Sequence, residues 1–262
     1  GVILWANGVD VGNVLLVAGF AIIIYLFHGW FKDVINENLS GKYNEGVSTS
    51  FRQGMFWFIT SEVFFFASFF GSLYYLRMIT LPYLGGEGHL ATSSILWENF
   101  TYTWPLINLP DATNYSEAKE AMGAMGLPLW NTIILLSSSV TCHIAHMGIL
   151  AGDKKKFNLW LAITVLLGVI FVFVQVFEYY EAYAHFGLTL NSGIYGSTFF
   201  MLTGFHGFHV FMGMTLLLIQ LLRSVRGGHF TAEDHFGFEA SSWYWHFVDV
   251  VWVFLFLFVY IL

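Results

Sequence analysis

Residues 194–222 read IYGSTFFMLTGFHGFHVFMGMTLLLIQLL, twenty-nine positions without a single Asp, Glu, Lys or Arg. At about 1.5 Å of rise per residue, a helix of this length exceeds the roughly 30 Å hydrocarbon core of a bilayer. Lipid offers no water to free N–H and C=O groups, so a crossing segment must satisfy its own backbone as a helix. Gly193, Gly196, Gly204, Gly207 and Gly213 predict close approach of neighbouring helices along this span. His206 and His209 are its conspicuous polar side chains.

Five further stretches pass the same test, giving spans at 14–30, 55–76, 127–150, 157–177, 194–222 and 243–262. Composition agrees: 57% of the chain is hydrophobic and only 10% charged, against about 25% charged in soluble domains. One residue in five is aromatic, which excludes a water-soluble globule. A net charge of −7 excludes a basic footprint for nucleic acid. With Cys142 as the one cysteine, neither an internal disulfide nor a thiolate metal cage can form. The fold class is all-α, a polytopic membrane helical bundle forming a single domain over 1–262. Its 80–126 segment, carrying Pro82, Pro105 and Pro110, is expected to be an extended external loop, with SEAKEAM (116–122) as one short surface helix. The chain begins at Gly1, and the opening GVILWA reads as the end of a helix whose beginning lies upstream.

Basic residues set the sidedness. Lys32, Lys42, Arg52, Lys154, Lys155, Lys156, Arg223 and Arg226 fall in alternating loops, whereas the other loops hold only Arg77 and Lys119. Lys and Arg are retained on the cytoplasmic side, which puts the C-terminus outside. Trp243, Tyr244 and Trp245 then read as an interfacial aromatic belt.

Ionisable groups at membrane depth are costly, so each marks a candidate site. His235, Glu239, Ser242, His246 and Asp249 advance by four, three, four and three, which stacks them on one helix face that must pack against protein. A hydrogen-bonded seam between helices explains this stripe, and the pairs His143/His146 and His206/His209 as well. Two sharper readings stand beside it: proton relay along the stripe, and a His-box di-iron membrane oxidoreductase built on the paired imidazoles. Glu62 in ITSEVFFF and Glu178 with Glu181 in FEYYEAY complete the set.

Four strings, ITSEVFFF (59–66), FEYYEA (177–182), GIYGSTFFMLTGFHGFHV (193–210) and HFGFEASSWYWHFVDVVW (235–252), occur in this order. Together they resemble subunit III of the aa3-type cytochrome c oxidases, within the haem-copper oxidase superfamily. The family has seven transmembrane helices, so the resemblance implies six complete ones here plus the end of the first. It implies an accessory, non-redox subunit of the aerobic respiratory chain that stabilises subunit I and supports proton uptake as oxygen is reduced to water. Haem and copper would belong to partner subunits I and II, with no metal and no catalytic residue in this chain. Bound phospholipid is implied at Trp30, Phe31, Lys32, Glu62, Arg223 and Arg226. The polar seam then comprises His206, His209, His235, Glu239, His246 and Asp249. Subunit III of a quinol oxidase is the alternative within the superfamily. The length of the 80–126 loop implies a bacterial form in the inner (cytoplasmic) membrane.

Overall fold

A computed structural model describes residues 1–87, 97, 100–110 and 113–262. Secondary structure among them is entirely helical, and the chain divides into two compact units, 1–54 and 55–262.

In the first unit a short helix α1 (Val2–Ala6) folds back on α2 (Val11–Leu39) through a turn in which Gly8 takes φ +71°. Contact there is backbone to backbone: a Cβ on Gly12 would strike the main chain of Trp5. Along the rest of α2 the side chains stay open, and Gly12 is its one buried residue. Asn44 accepts the Val47 N–H at 3.0 Å, an Asx cap on the start of α3 (Glu45–Tyr75).

The second unit takes up α3 at Met55 and continues it through a wide π-helical turn, Leu76–Thr80, into α4 (Leu81–Leu84). Four long helices follow: α5 (Leu127–Leu150), α6 (Lys154–Ala184), α7 (Gly193–Leu222) and α8 (Phe236–Leu255). Each packs on its chain neighbour, and α8 closes the ring against α5. Pro128 starts α5, where its missing N–H would be unpaired in any case. Asp153 caps α6 by accepting the Lys156 N–H at 3.0 Å. Small residues let the helices approach: Gly168 faces the Trp245 ring from α6, and Gly213 faces both Tyr244 and Trp245 from α7. Trp245 is fully buried and donates its indole N–H to Ser138 Oγ at 3.0 Å. The aromatic-belt expectation is thus overturned for Tyr244 and Trp245, which fill the centre of the bundle and not a lipid interface.

The helices are longer than the apolar runs that announced them. α2 extends to Leu39 and α3 starts at Glu45, because polar residues at helix ends lie beyond the run yet continue the same hydrogen-bond ladder. SEAKEAM is not helical. Three of its backbone donors are taken by the connection between α6 and α7 and by the first turn of α7: Ser116 N–H bonds Asn191 O at 3.1 Å, Lys119 N–H bonds Phe186 O at 2.8 Å, and Met122 N–H bonds the Tyr195 hydroxyl at 3.2 Å. Ala118 and Met122 are buried as a result. Expectations for 88–96, 98–99 and 111–112 of the external loop lie outside the described residues.

Candidate functional site

Within the second unit, polar side chains at membrane depth fall into separate groups. Glu62, on α3, meets His209, on α7, with Oε2 2.8 Å from Nε2. His209 Nδ1 lies 2.6 Å from the Phe205 carbonyl oxygen, which can only accept, so Nδ1 carries a proton. The Glu62–His209 contact therefore holds one proton, as an imidazolium–carboxylate pair or as a carboxylic acid donating to neutral imidazole. Phe65, Phe66 and Tyr244 ring the His209 imidazole at 5.0–6.3 Å between centroids. Such walls keep water from competing for the contact. In the sequence Glu62 showed only Thr60 and Ser61 nearby; its partner lies 147 residues away.

The α8 stripe does share one face, directed at α5. The His235 ring lies 5.7 Å from that of His146, Cys142 Sγ donates to Ser242 Oγ at 3.6 Å, and His246 Nδ1 bonds Ser139 Oγ at 2.8 Å. Asp249 stands 3.5 Å from His246 on the same helix, and Glu239 is half-buried between the two ends. His206 and His209 leave this seam. His206 is fully buried against Phe171 and Trp252, and His209 faces Glu62, so the six-residue seam read from the sequence separates into three environments. They diverge because α7 presents positions 206 and 209 at different angles to its neighbours. Glu178 finds a partner the sequence did not signal: Tyr260 donates its hydroxyl to Oε1 at 2.6 Å.

A shallow, open cationic depression lies at the far end of α7. Ile219, Leu222, Arg223, Arg226, Gly227 and His229 line a volume of about 340 Å³. Arg223 donates to Gln220 Oε1 at 2.9 Å and lies 4.7 Å from the Phe230 ring centre, which fixes its guanidinium, while Arg226 is exposed. In the first unit, Phe27, Trp30 and Phe31 stack on one another at 5.7–6.3 Å beside exposed Lys32 on α2. Each set joins an apolar surface to a cation, the chemistry an anionic lipid headgroup requires.

The donor sets do not fit the His-box alternative. Among the described residues no group of three or more His, Cys, Asp or Glu side chains is placed to hold a metal ion. Both His209 nitrogens are already engaged, His206 faces rings, and His146 faces His235 while His143 is exposed.

Comparison with known proteins is decisive. The sequence profile described as cytochrome c oxidase subunit III matches residues 1–262. Cytochrome c oxidase subunit 3 of Tetraodon nigroviridis is 41% identical over 248 residues, covering 94% of this chain and 83% of that one. The same subunit of Oncorhynchus masou is 41% identical, and that of Cyprinus carpio 40%, each over 247 residues with the same coverage. A match along the whole length, with six helices among the described residues apolar and long enough to cross a membrane, makes this chain a member of the cytochrome c oxidase subunit III family and an accessory integral membrane subunit of that oxidoreductase.

Proposed function

We propose that this chain packs on catalytic subunit I, in the same complex as subunit II, and acts there by holding phospholipid and supporting proton uptake during oxygen reduction. Haem and copper in subunits I and II would carry the electrons. Arg223 and Arg226, set on the apolar walls of Ile219 and Leu222, are the observation that carries the lipid reading. A phosphate between the guanidiniums leaves its acyl chains along the apolar wall. Trp30, Phe31 and Lys32 would hold a second headgroup in the same manner. Glu62 would serve the lipid-facing region as half of a one-proton pair with His209. Proton uptake draws support from the acidic and imidazole groups that this subunit adds to the complex, which raise the local supply of exchangeable protons.

Eight of ten basic residues at alternating helix ends and connections support a C-terminus on the outer side, and the long 80–126 loop supports a bacterial cytoplasmic membrane. Labelling a Lys155→Cys variant from each side tests the first point, with reaction expected only from the cytoplasmic face. For the lipid sites, phospholipid retained by the purified oxidase is measured with and without Arg223→Gln/Arg226→Gln. Loss of about one tightly held anionic lipid is expected; unchanged lipid content removes the assignment. For proton uptake, initial rate against pH and turnovers before inactivation are compared with and without the subunit. Slower alkaline turnover and earlier inactivation are expected on its removal. If neither changes, the role reduces to assembly.

A further inference from the structure

One layer of the α5–α8 bundle carries polar groups that the chain itself leaves unpaired. Asn131 and His206 are fully buried and Gln175 is 6% exposed, yet neither amide and neither imidazole nitrogen has a hydrogen-bond partner among the described residues. Helix-to-helix contacts place all three at one level. Thr141 bonds Thr164 at 2.8 Å and Gly148 abuts Phe157, which sets the antiparallel register of α5 and α6 and brings Asn131 level with Gln175. Gly207 faces the Gln175 side chain, and Tyr179 bonds Thr203 at 2.7 Å, which puts His206 at the same height on α7. Trp252 completes the layer from α8, with its ring 5.1 Å from His206 and its indole N–H donated to Thr132 Oγ1 at 2.9 Å. One turn nearer the α6 C-terminus, Glu178 uses Oε1 for Tyr260 and leaves Oε2 unpaired.

Seven buried polar atoms from three helices thus lie in this layer or one turn from it without partners among the described residues: two each on Asn131, Gln175 and His206, and one on Glu178, with Trp252 against His206 and Tyr260 against Glu178. Buried polar groups in stable proteins are almost always satisfied, and where the chain does not do so, ordered water does. Donors and acceptors are both present, from the two amides, the imidazole and the carboxyl, which suits water and not an ion of fixed sign. We propose that this layer is an internal water site, with Asn131, Gln175 and His206 as its walls and Glu178 as its outlet. Because each buried water makes about three hydrogen bonds, seven orphan atoms call for roughly two or three molecules. Exchange would pass Glu178 to Glu181, which lines a separate cavity of about 430 Å³ with Gly123, Gly126, Pro128 and Phe186.

High-resolution cryo-electron microscopy of the intact oxidase tests this directly. Two or more water peaks within hydrogen-bond distance of Gln175 and His206 are expected. Direct bonding of Asn131, Gln175, His206 and Glu178 to one another with no water, or a density at metal-ligand distances, overturns the proposal. A second measurement does not depend on any variant: brief radiolysis after mixing the complex with ¹⁸O-water should place the heavy label on Trp252 and Tyr260. Absence of ¹⁸O from both rings, with label present on an exposed loop aromatic such as Tyr115, overturns it equally. Gln175→Leu should lower labelling at Trp252 severalfold where the variant assembles.

Discussion

α2 and α8 are both apolar enough to cross a membrane, but they meet their surroundings in opposite ways. α2 buries only Gly12 and turns Val14, Phe20, Ile22, Ile24 and Tyr25 outward. α8 buries eleven residues, among them Trp245, Trp252, Ser241, Ser242 and Asp249. Hydrophobicity therefore says that a helix lies in lipid and says little about which helix lies in protein. What separates them is the interruption of the apolar run by small and polar residues, which are tolerated only where another helix supplies contact or a hydrogen bond.

One chemical change tried in both regions gives the strongest test. A Cβ on Gly213 would stand 3.0 Å from Trp245 and 3.2 Å from Tyr244, so Gly213→Leu should overpack the bundle by about 3 kcal/mol or more. Loss of the subunit from the purified complex is the expected readout. Gly19→Leu on α2 meets nothing within 4 Å and should assemble normally. Equal losses at the two positions would break the comparison.

Removing a single hydroxyl probes the polar side of α8. Tyr260→Phe strips Glu178 of its one side-chain hydrogen-bond partner among the described residues and should cost about 2 kcal/mol, seen as a lower unfolding temperature of the complex. Tyr25→Phe on exposed α2 serves as the matched control and should change nothing measurable.

A smaller effect is expected at Glu62 and His209, whose side chains are 21% and 9% exposed. A double-mutant cycle with Glu62→Gln and His209→Gln should return a coupling of about 1 kcal/mol, typical of hydrogen bonds between membrane helices. A coupling near zero would show that the pair is not maintained in the assembled oxidase. Smallest of all, Trp30→Ala should shift stability by no more than about 0.5 kcal/mol, as an exposed substitution, while reducing retained lipid. A large loss of stability there would mean that α2 is packed like α8.

The six spans were legible because lipid imposes one requirement that a single sequence displays in full, an unbroken apolar length. Family membership was legible from ordered strings such as HFGFEASSWYWHFVDVVW. The α8 stripe was legible as a face, since periodicity survives without knowledge of neighbours. What lay on the other side of that face was not. Nothing local ties Ser139, Cys142 and His146 to His246, Ser242 and His235, or Glu62 to a histidine on α7. Tyr244 and Trp245 were misread because aromatic residues near a helix end suit both an interface and a core, and only the glycines opposite, Gly168 and Gly213, decide between them. The 116–122 stretch was misread for a related reason: its helix propensity lost to backbone acceptors at Phe186 and Asn191.

The widened winding at the end of α8 changes the phase of everything beyond it. From Trp252 to Tyr260 is eight residues, which at about 100° per step would leave the two side chains about 80° apart. Over Phe256–Ile261 the ladder opens to π-helical turns, in which each residue advances by roughly a fifth less. That slippage brings Tyr260 back under Trp252, with ring centres 6.0 Å apart, and aims its hydroxyl at Glu178. The helix thus corrects its own register by absorbing one extra residue in the wider turn, and deleting one residue between 256 and 259 would let an ordinary α-helix run through, in which seven steps of about 100° leave Tyr260 within about 20° of Trp252 and on the same face.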